Sequence, residues 1–200
     1  MRSDLRGGLA ALGLAGTIGA VGLAAARGRS QAHGLHHTGV TVRDFEAAVA
    51  WYHRHFGFLL VTEMLLDGED SARLADLYGR PDLTVRLGFM RGRDGSILEV
   101  FEFDPPLPPA PVDWNRPGYT HVAMAVSDVP AWVRRLEGEG IEFLTPVQET
   151  AGAHWVFFRD PDGNLVELID LHADRLLLRH AGGLVGRLQR WTTMRRYYTT

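Results

Sequence analysis

His36–Asp44 reads HHTGVTVRD and Thr120–Asp128 reads THVAMAVSD. Both spell one pattern: a histidine (His37, His121), a small residue two places on (Gly39, Ala123), a valine five on (Val42, Val126) and an aspartate seven on (Asp44, Asp128). An internal repeat constrains the fold more than any single motif. In the first copy the alternation of HTGVTV reads as a strand. Asp44 stands where a helix N-cap belongs, ahead of FEAAVAWYHRHF with its helically spaced apolar residues. Gly57 stops that helix, and FLLVTEM resumes as strand. LTVRLGFM, the turn GRDGS and ILEVFEF read as a hairpin.

The second copy repeats this order. HVAMAV is strand, Asp128 cap, VPAWVRRLEGE helix, Gly140 stop and IEFLTP strand; AHWVFFR, DPDGN and LVELID form the closing hairpin. The spacing from turn aspartate to glutamate also matches, Asp94 to Glu99 and Asp162 to Glu167. The expected fold class is α+β, with two tandem βαβββ modules at 33–103 and 119–170. Between them DPPLPPAPVDWNRPG, 104–118, reads as a stiff Pro-rich linker. The first copy carries an extra stretch, LDGEDSARLADLYGRPD. It is expected to hold a short helix starting near Asp70 or Ser71 and to shape a binding site.

The chain has 200 residues, no cysteine and a net charge of -3. Lysine is also absent, so thiolate ligands, cysteine nucleophiles and Schiff-base chemistry have no candidates. The charge is uneven: residues 1–32 carry +3 and 171–200 carry +5, which leaves -11 for the body between them. An acidic body without a basic groove speaks against a nucleic-acid partner. The leading segment 1–32 sets Arg2 and Arg6 about an uncharged run, Leu9–Ala26, with small residues at Ala24 and Ala26. It reads as a signal peptide or N-terminal membrane anchor. Export or anchoring is therefore expected, with a cytoplasmic location as the alternative. The tail 171–200 reads as a basic amphipathic helix, suited to a membrane, to the acidic body or to the other copy of a homodimer.

Strand alternation decides which side chains meet. It places His37, Gly39 and Thr41 on one face, with His36, Thr38, Val40 and Val42 on the other. His121, Ala123 and Ala125 share the corresponding face of the second copy. The valine-rich faces should be core, and the small residues leave room beside each histidine. Glu99 and Glu167 interrupt the apolar last strands, with Glu102 on the face opposite Glu99. A carboxylate in an apolar strand is costly to bury unless it is paired or binds a cation. One histidine and one glutamate at matched places in two copies therefore point to a metal. Trp51, Tyr52, Phe56 and Trp132 read as core, and His53 and His55 as solvated.

These residues resemble the vicinal oxygen chelate superfamily, which includes glyoxalase I, methylmalonyl-CoA epimerase, extradiol dioxygenases and fosfomycin-resistance proteins. The resemblance rests on LHHTGVTVRDFEAAVAWYHRHFGF, ILEVFEF, GYTHVAMAVSDV and FFRDPDGNLVELID, and covers about residues 33–170. It implies curled mixed sheets around a metal cleft. It also implies a single divalent ion (Ni, Co, Mn, Fe or Zn) held by His37, Glu99, His121 and Glu167. The implied activity is of the lyase, isomerase or epimerase type. A proton alpha to a carbonyl is taken by Glu167 or Glu99, and the enediolate of a small-molecule substrate with vicinal oxygens is chelated on the metal. No clear equivalent of the glutathione-binding residues of glyoxalase I is present.

Two alternatives stay open. An Fe(II) extradiol-type dioxygenase would use His37, His121 and Glu167, with His154 as acid or base. A binding protein of the antibiotic-resistance kind would need no catalysis. His154, Trp114 and Arg116 are the candidates for substrate contact.

Overall fold

The computed structural model describes residues 34–110, 112–170 and 180–198. Its elements belong to one unit, His36–Thr200. The leading segment read as a signal or anchor lies outside the described residues. Among those residues no helix is long and apolar enough to cross a membrane.

Two four-stranded mixed sheets carry the fold. The first contains β1 (Thr38–Val42), β2 (Leu59–Leu66), β3 (Thr84–Arg91) and β4 (Ile97–Asp104) in the order β1-β4-β3-β2. The second contains β5 (Val122–Ala125), β6 (Gln148–Thr150), β7 (Ala153–Arg159) and β8 (Leu165–Asp170) in the order β5-β8-β7-β6. In each sheet the first strand lies parallel to the last and the other pairs are antiparallel. The repeat in sequence is thus a repeat in topology.

Helix α1 (Phe45–Phe56) starts as its sequence dictates: Asp44 accepts the Ala47 amide at 2.8 Å. It ends at Gly57, whose φ of 71° suits a residue without a Cβ. Between β2 and β3 the expected short helix is two short turns, α2 (Gly68–Ala72) and α3 (Ala75–Tyr78). The second-module helix α4 (Val129–Gly138) has the same start, with Asp128 accepting the Ala131 amide at 2.8 Å. In the tail, α5 spans Gly182–Trp191. Gly182 and Gly183 are its first two residues.

A second pair of acids reinforces both starts from across the sheet. Glu102 Oε2 accepts the Phe45 amide at 2.7 Å, and Asp170 Oδ2 accepts the Val129 amide at 3.0 Å. Each carboxylate meets free amides at a helix N-terminus, where the helix dipole favours negative charge. The last strand of each module therefore carries acids on opposite faces: Glu99 and Glu102, Glu167 and Asp170. One face serves the helix, and the other is left for chemistry.

The strand expected at IEFLTP is reduced to one bridge, Phe143 with Phe158, and pairing resumes only at β6. Pro146 has no amide to donate and restricts the residue before it, so a continuous ladder cannot pass through.

One core spans both modules. Phe45, Tyr52, Val100, Leu136, Phe158 and Leu168 all lie in it, each at most 1% exposed. Burying a side chain of this size contributes about 1.5–3 kcal/mol. Phe56 stacks on Trp132 at 5.6 Å, joining α1 to α4. The DPDGN turn clasps the first module. Asp160 accepts the Tyr52 hydroxyl at 2.9 Å, Asp162 accepts Arg43 Nε at 2.8 Å, and Asn164 Nδ2 donates to the Thr41 carbonyl at 3.1 Å. Burial, then the Asp160 carboxylate, pushes the Tyr52 hydroxyl well above the usual tyrosine range, so it stays a donor.

His55 was expected in solvent and is instead 7% exposed. Its Nδ1 lies 2.9 Å from Glu139 Oε2 at the end of α4. The face of α1 that meets the other module cannot be read from one helix alone.

Candidate functional site

The face of each sheet away from its helix carries a histidine against a glutamate. His37 Nε2 lies 2.9 Å from Glu99 Oε2, and His121 Nε2 lies 3.2 Å from Glu167 Oε2. The pairing follows from register. Gly39 is opposite Glu99 and Ala123 opposite Glu167, so a small residue beside each glutamate leaves the space the histidine enters. At Gly39 an added Cβ would stand 3.3 Å from the Phe101 ring, so the position is already tight. The glutamates are sheltered at 12% and 14% side-chain exposure, while the histidines are more open at 37% and 27%.

A phenylalanine completes each pair. Phe89 is opposite Glu99 across β3–β4, and Phe157 is opposite Glu167 across β7–β8. Their ring centroids lie 5.4 Å from His37 and 5.0 Å from His121. The sequence held a signal for them: each phenylalanine precedes its glutamate by the same interval in the two copies.

Three of the sequence-based expectations bear on this geometry. First, the four expected ligands stand as two His–Glu pairs, one in each module. Among the described residues no group of three or more His, Asp or Glu side chains is arranged to hold a metal. Each pair offers one imidazole nitrogen and one carboxylate, a donor set that fits part of the shell of a Ni, Co, Mn, Fe or Zn ion. Second, His36 does not turn away from His37. Its Nδ1 lies 2.8 Å from His37 Nδ1, and its ring also meets Phe89. Both histidines precede the first residue of β1, where strand alternation has not begun. Third, His154 is on the wrong face. It pairs with Asp170 in the ladder, while Phe157 pairs with Glu167. Its amide donates to Asp170 at 2.7 Å and its Nδ1 lies 3.3 Å from the same carboxylate.

Trp114 does reach the second pair, its ring 5.8 Å from His121 and 5.2 Å from Phe157. Arg116 instead pairs with Asp113 at 2.7 Å, exposed in the linker. Tyr78, from the extra stretch of the first module, packs on Phe103, which shares a strand face with Glu99. Burial first, and the Glu99 charge second, raise its hydroxyl above the ordinary tyrosine range. It is held as a donor near the first pair.

Two mixed sheets of matching topology, each with a His–Glu pair, define a protein of the glyoxalase type, and comparison with known proteins agrees on the family. The model of the Glyoxalase/Bleomycin resistance protein/Dioxygenase superfamily matches residues 34–168, and the chain belongs to this superfamily. It is 30% identical over 157 residues to a 2-epi-5-epi-valiolone epimerase from Actinomyces sp, covering 74% of this chain and 84% of that protein. It is 28% identical over 138 residues to the uncharacterized protein YaeR of Escherichia coli K12, covering 68% of this chain and 95% of that one. A glyoxalase family protein from Bacillus cereus shares the fold with a TM-score of 0.57 at 23% identity, over 72% of this chain and 98% of that one.

Proposed function

We propose that the protein is a divalent-metal-dependent epimerase or isomerase that removes and returns a proton alpha to a carbonyl. In this reading the working site joins His37 and Glu99 of one copy to His121 and Glu167 of a second. The observation that carries it is the pair of matched His–Glu half-sites, each incomplete in a single chain. A two-fold dimer would build two equivalent four-ligand sites from them. The exposed apolar residues of edge strand β2, Leu59, Val61, Met64 and Leu65, offer surface for such a contact.

Bound there, the cation would draw charge onto a substrate carbonyl oxygen. One glutamate takes the proton as the C–H bond breaks and its electron pair moves toward that oxygen. Epimerisation needs the proton returned on the other side of the carbon. Two carboxylates, one from each half-site, supply one group to remove it and another to return it. Phe89 and Phe157 set an apolar ring beside each histidine. The similarity to an epimerase supports this class of reaction.

The equivalence of Glu99 and Glu167 favours this reading over a three-ligand dioxygenase, and His154 is turned from the face where such an enzyme would need its acid. Export directed by residues 1–32 remains part of the proposal. An exported enzyme would meet little glutathione or CoA and would act on a free carbonyl compound.

The test is elemental analysis and sedimentation of the purified protein, followed by a screen for deuterium exchange alpha to a carbonyl. A dimer with one divalent ion per chain, and exchange without oxygen consumption, is expected. A metal-free monomer would sink the enzyme reading in favour of a binding protein. Catechol-dependent oxygen uptake would favour the dioxygenase.

A further inference from the structure

The residue before each site histidine makes the same contact. His36 Nδ1 lies 2.8 Å from His37 Nδ1, and Thr120 Oγ1 lies 2.8 Å from His121 Nδ1. In both cases the Nε2 of the site histidine faces the glutamate. One repeat thus uses an imidazole and the other a hydroxyl to hold the same atom. These two groups have a chemical property in common: each can either donate or accept a hydrogen bond.

That property fits what the site histidine must do. A neutral imidazole carries one N–H. When Nε2 holds the hydrogen and donates it to the glutamate, Nδ1 is bare and its partner must donate. When the Nε2 lone pair is given to a cation, the hydrogen sits on Nδ1 and the partner must accept. A backbone amide or an arginine could serve only the first state, and a carbonyl or carboxylate only the second. A neutral imidazole or a hydroxyl serves both.

We propose that His36 and Thr120 are positioning residues that keep Nδ1 of His37 and His121 bonded in both tautomers, so that each ring holds its orientation as Nε2 changes partner. The second of those states rests on the metal reading of the preceding section; the first does not. Residues 36 and 120 precede β1 and β5, so their side chains are free of strand alternation and can turn to the neighbouring ring. The doubled histidine of HHTGVTVRD is then the first module's version of the threonine–histidine of THVAMAVSD.

The experiment uses the full chain and the variants Thr120→Val, Thr120→Ser, His36→Phe and His36→Thr. Long-range ¹H–¹⁵N NMR reads the ring tautomers of His37 and His121 in the metal-free protein. Competition with a chelator reads the affinity for Ni²⁺ and Mn²⁺. Thr120→Val and His36→Phe should shift the tautomer populations of the following ring and weaken both ions by about 10- to 100-fold. Thr120→Ser and His36→Thr, which restore a group able to donate and accept, should recover both readouts. A merely structural role would not be rescued in this pattern. Unchanged tautomers and affinities in Thr120→Val and His36→Phe would overturn the proposal. If the unmodified chain binds neither ion, the metal reading fails by itself, and the metal-free tautomer shifts still decide whether the positioning role stands.

Discussion

The two modules share a frame and differ in what surrounds it. In both, a histidine just ahead of the first strand meets a glutamate on the last strand beside a phenylalanine, and an acid on the other face caps the helix. Around the first pair stand His36, Tyr78 and the two short turns of the extra stretch. Around the second stand Thr120 and Trp114 from the linker. The helix cap differs as well: Asp170 is 1% exposed and also binds the His154 amide, whereas Glu102 is only partly buried. In the proposed reading the duplicated parts hold the metal and start the helices, and the divergent parts meet the substrate. This division can be tested by changing matched residues in the two modules.

The largest effect is expected at the glutamates. Glu99→Gln and Glu167→Gln should each lower epimerisation by about 10²–10⁴-fold. If the two carboxylates divide the proton transfers between them, each variant should still wash in deuterium on one epimer of the substrate, and the two variants on opposite epimers. Equal activity in the Glu99→Gln variant would break the equivalence of the modules.

Next come the caps. Asp170→Ala leaves the Val129 and His154 amides without their carboxylate in a buried setting, and should cost on the order of 2–3 kcal/mol. Glu102→Ala removes one cap from a more open place and should cost about 1 kcal/mol. Urea denaturation of the two variants measures the difference. A reversed order would mean that the first module depends more on its cap.

Tyr78→Phe removes a hydroxyl found only beside the first pair. Turnover should fall by about 5- to 10-fold, the scale of one hydrogen bond, with metal content unchanged. Loss of metal instead would place Tyr78 in the shared frame.

The smallest effect is a pH dependence at the join. His55 lies between the modules, facing Glu139 with Arg54 and Arg135 nearby. Desolvation, partly countered by Glu139, lowers its pKa below the ordinary 6.5. The unfolded chain therefore binds this proton more tightly than the folded one. The linked stability is level above pH 6.5 and declines as pH falls below it. Denaturation at pH 7.5, 6.5 and 5.5 should show the decline, and His55→Gln should flatten it. An unchanged slope in that variant would remove His55 as its source.

Much of this was legible in the residues. The repeated spacings from histidine to capping aspartate and from turn aspartate to glutamate predict both helices, both closing hairpins and both His–Glu pairs. Such features are local: hydrogen bonds within one helix turn, a period of two along a strand, one hairpin register. Phe89 and Phe157 were legible by the same rule.

What lay beyond the sequence depends on contacts between distant segments. The burial of His55, the clasp of the DPDGN turn on Thr41 and Arg43, and the approach of Tyr78 to Glu99 all join residues that no local pattern links. His36 shows the limit most sharply: alternation assigns it a face, yet it stands before the strand begins. The face of His154 was legible, because an interval of three residues from Phe157 puts it on the opposite side of the strand. By itself the sequence determined two copies of one module and the residues each contributes, because period and spacing are written into a single strand or helix. Only the tertiary structure decided that the two His–Glu pairs stay apart within a chain, because that depends on how the two sheets pack around a common core.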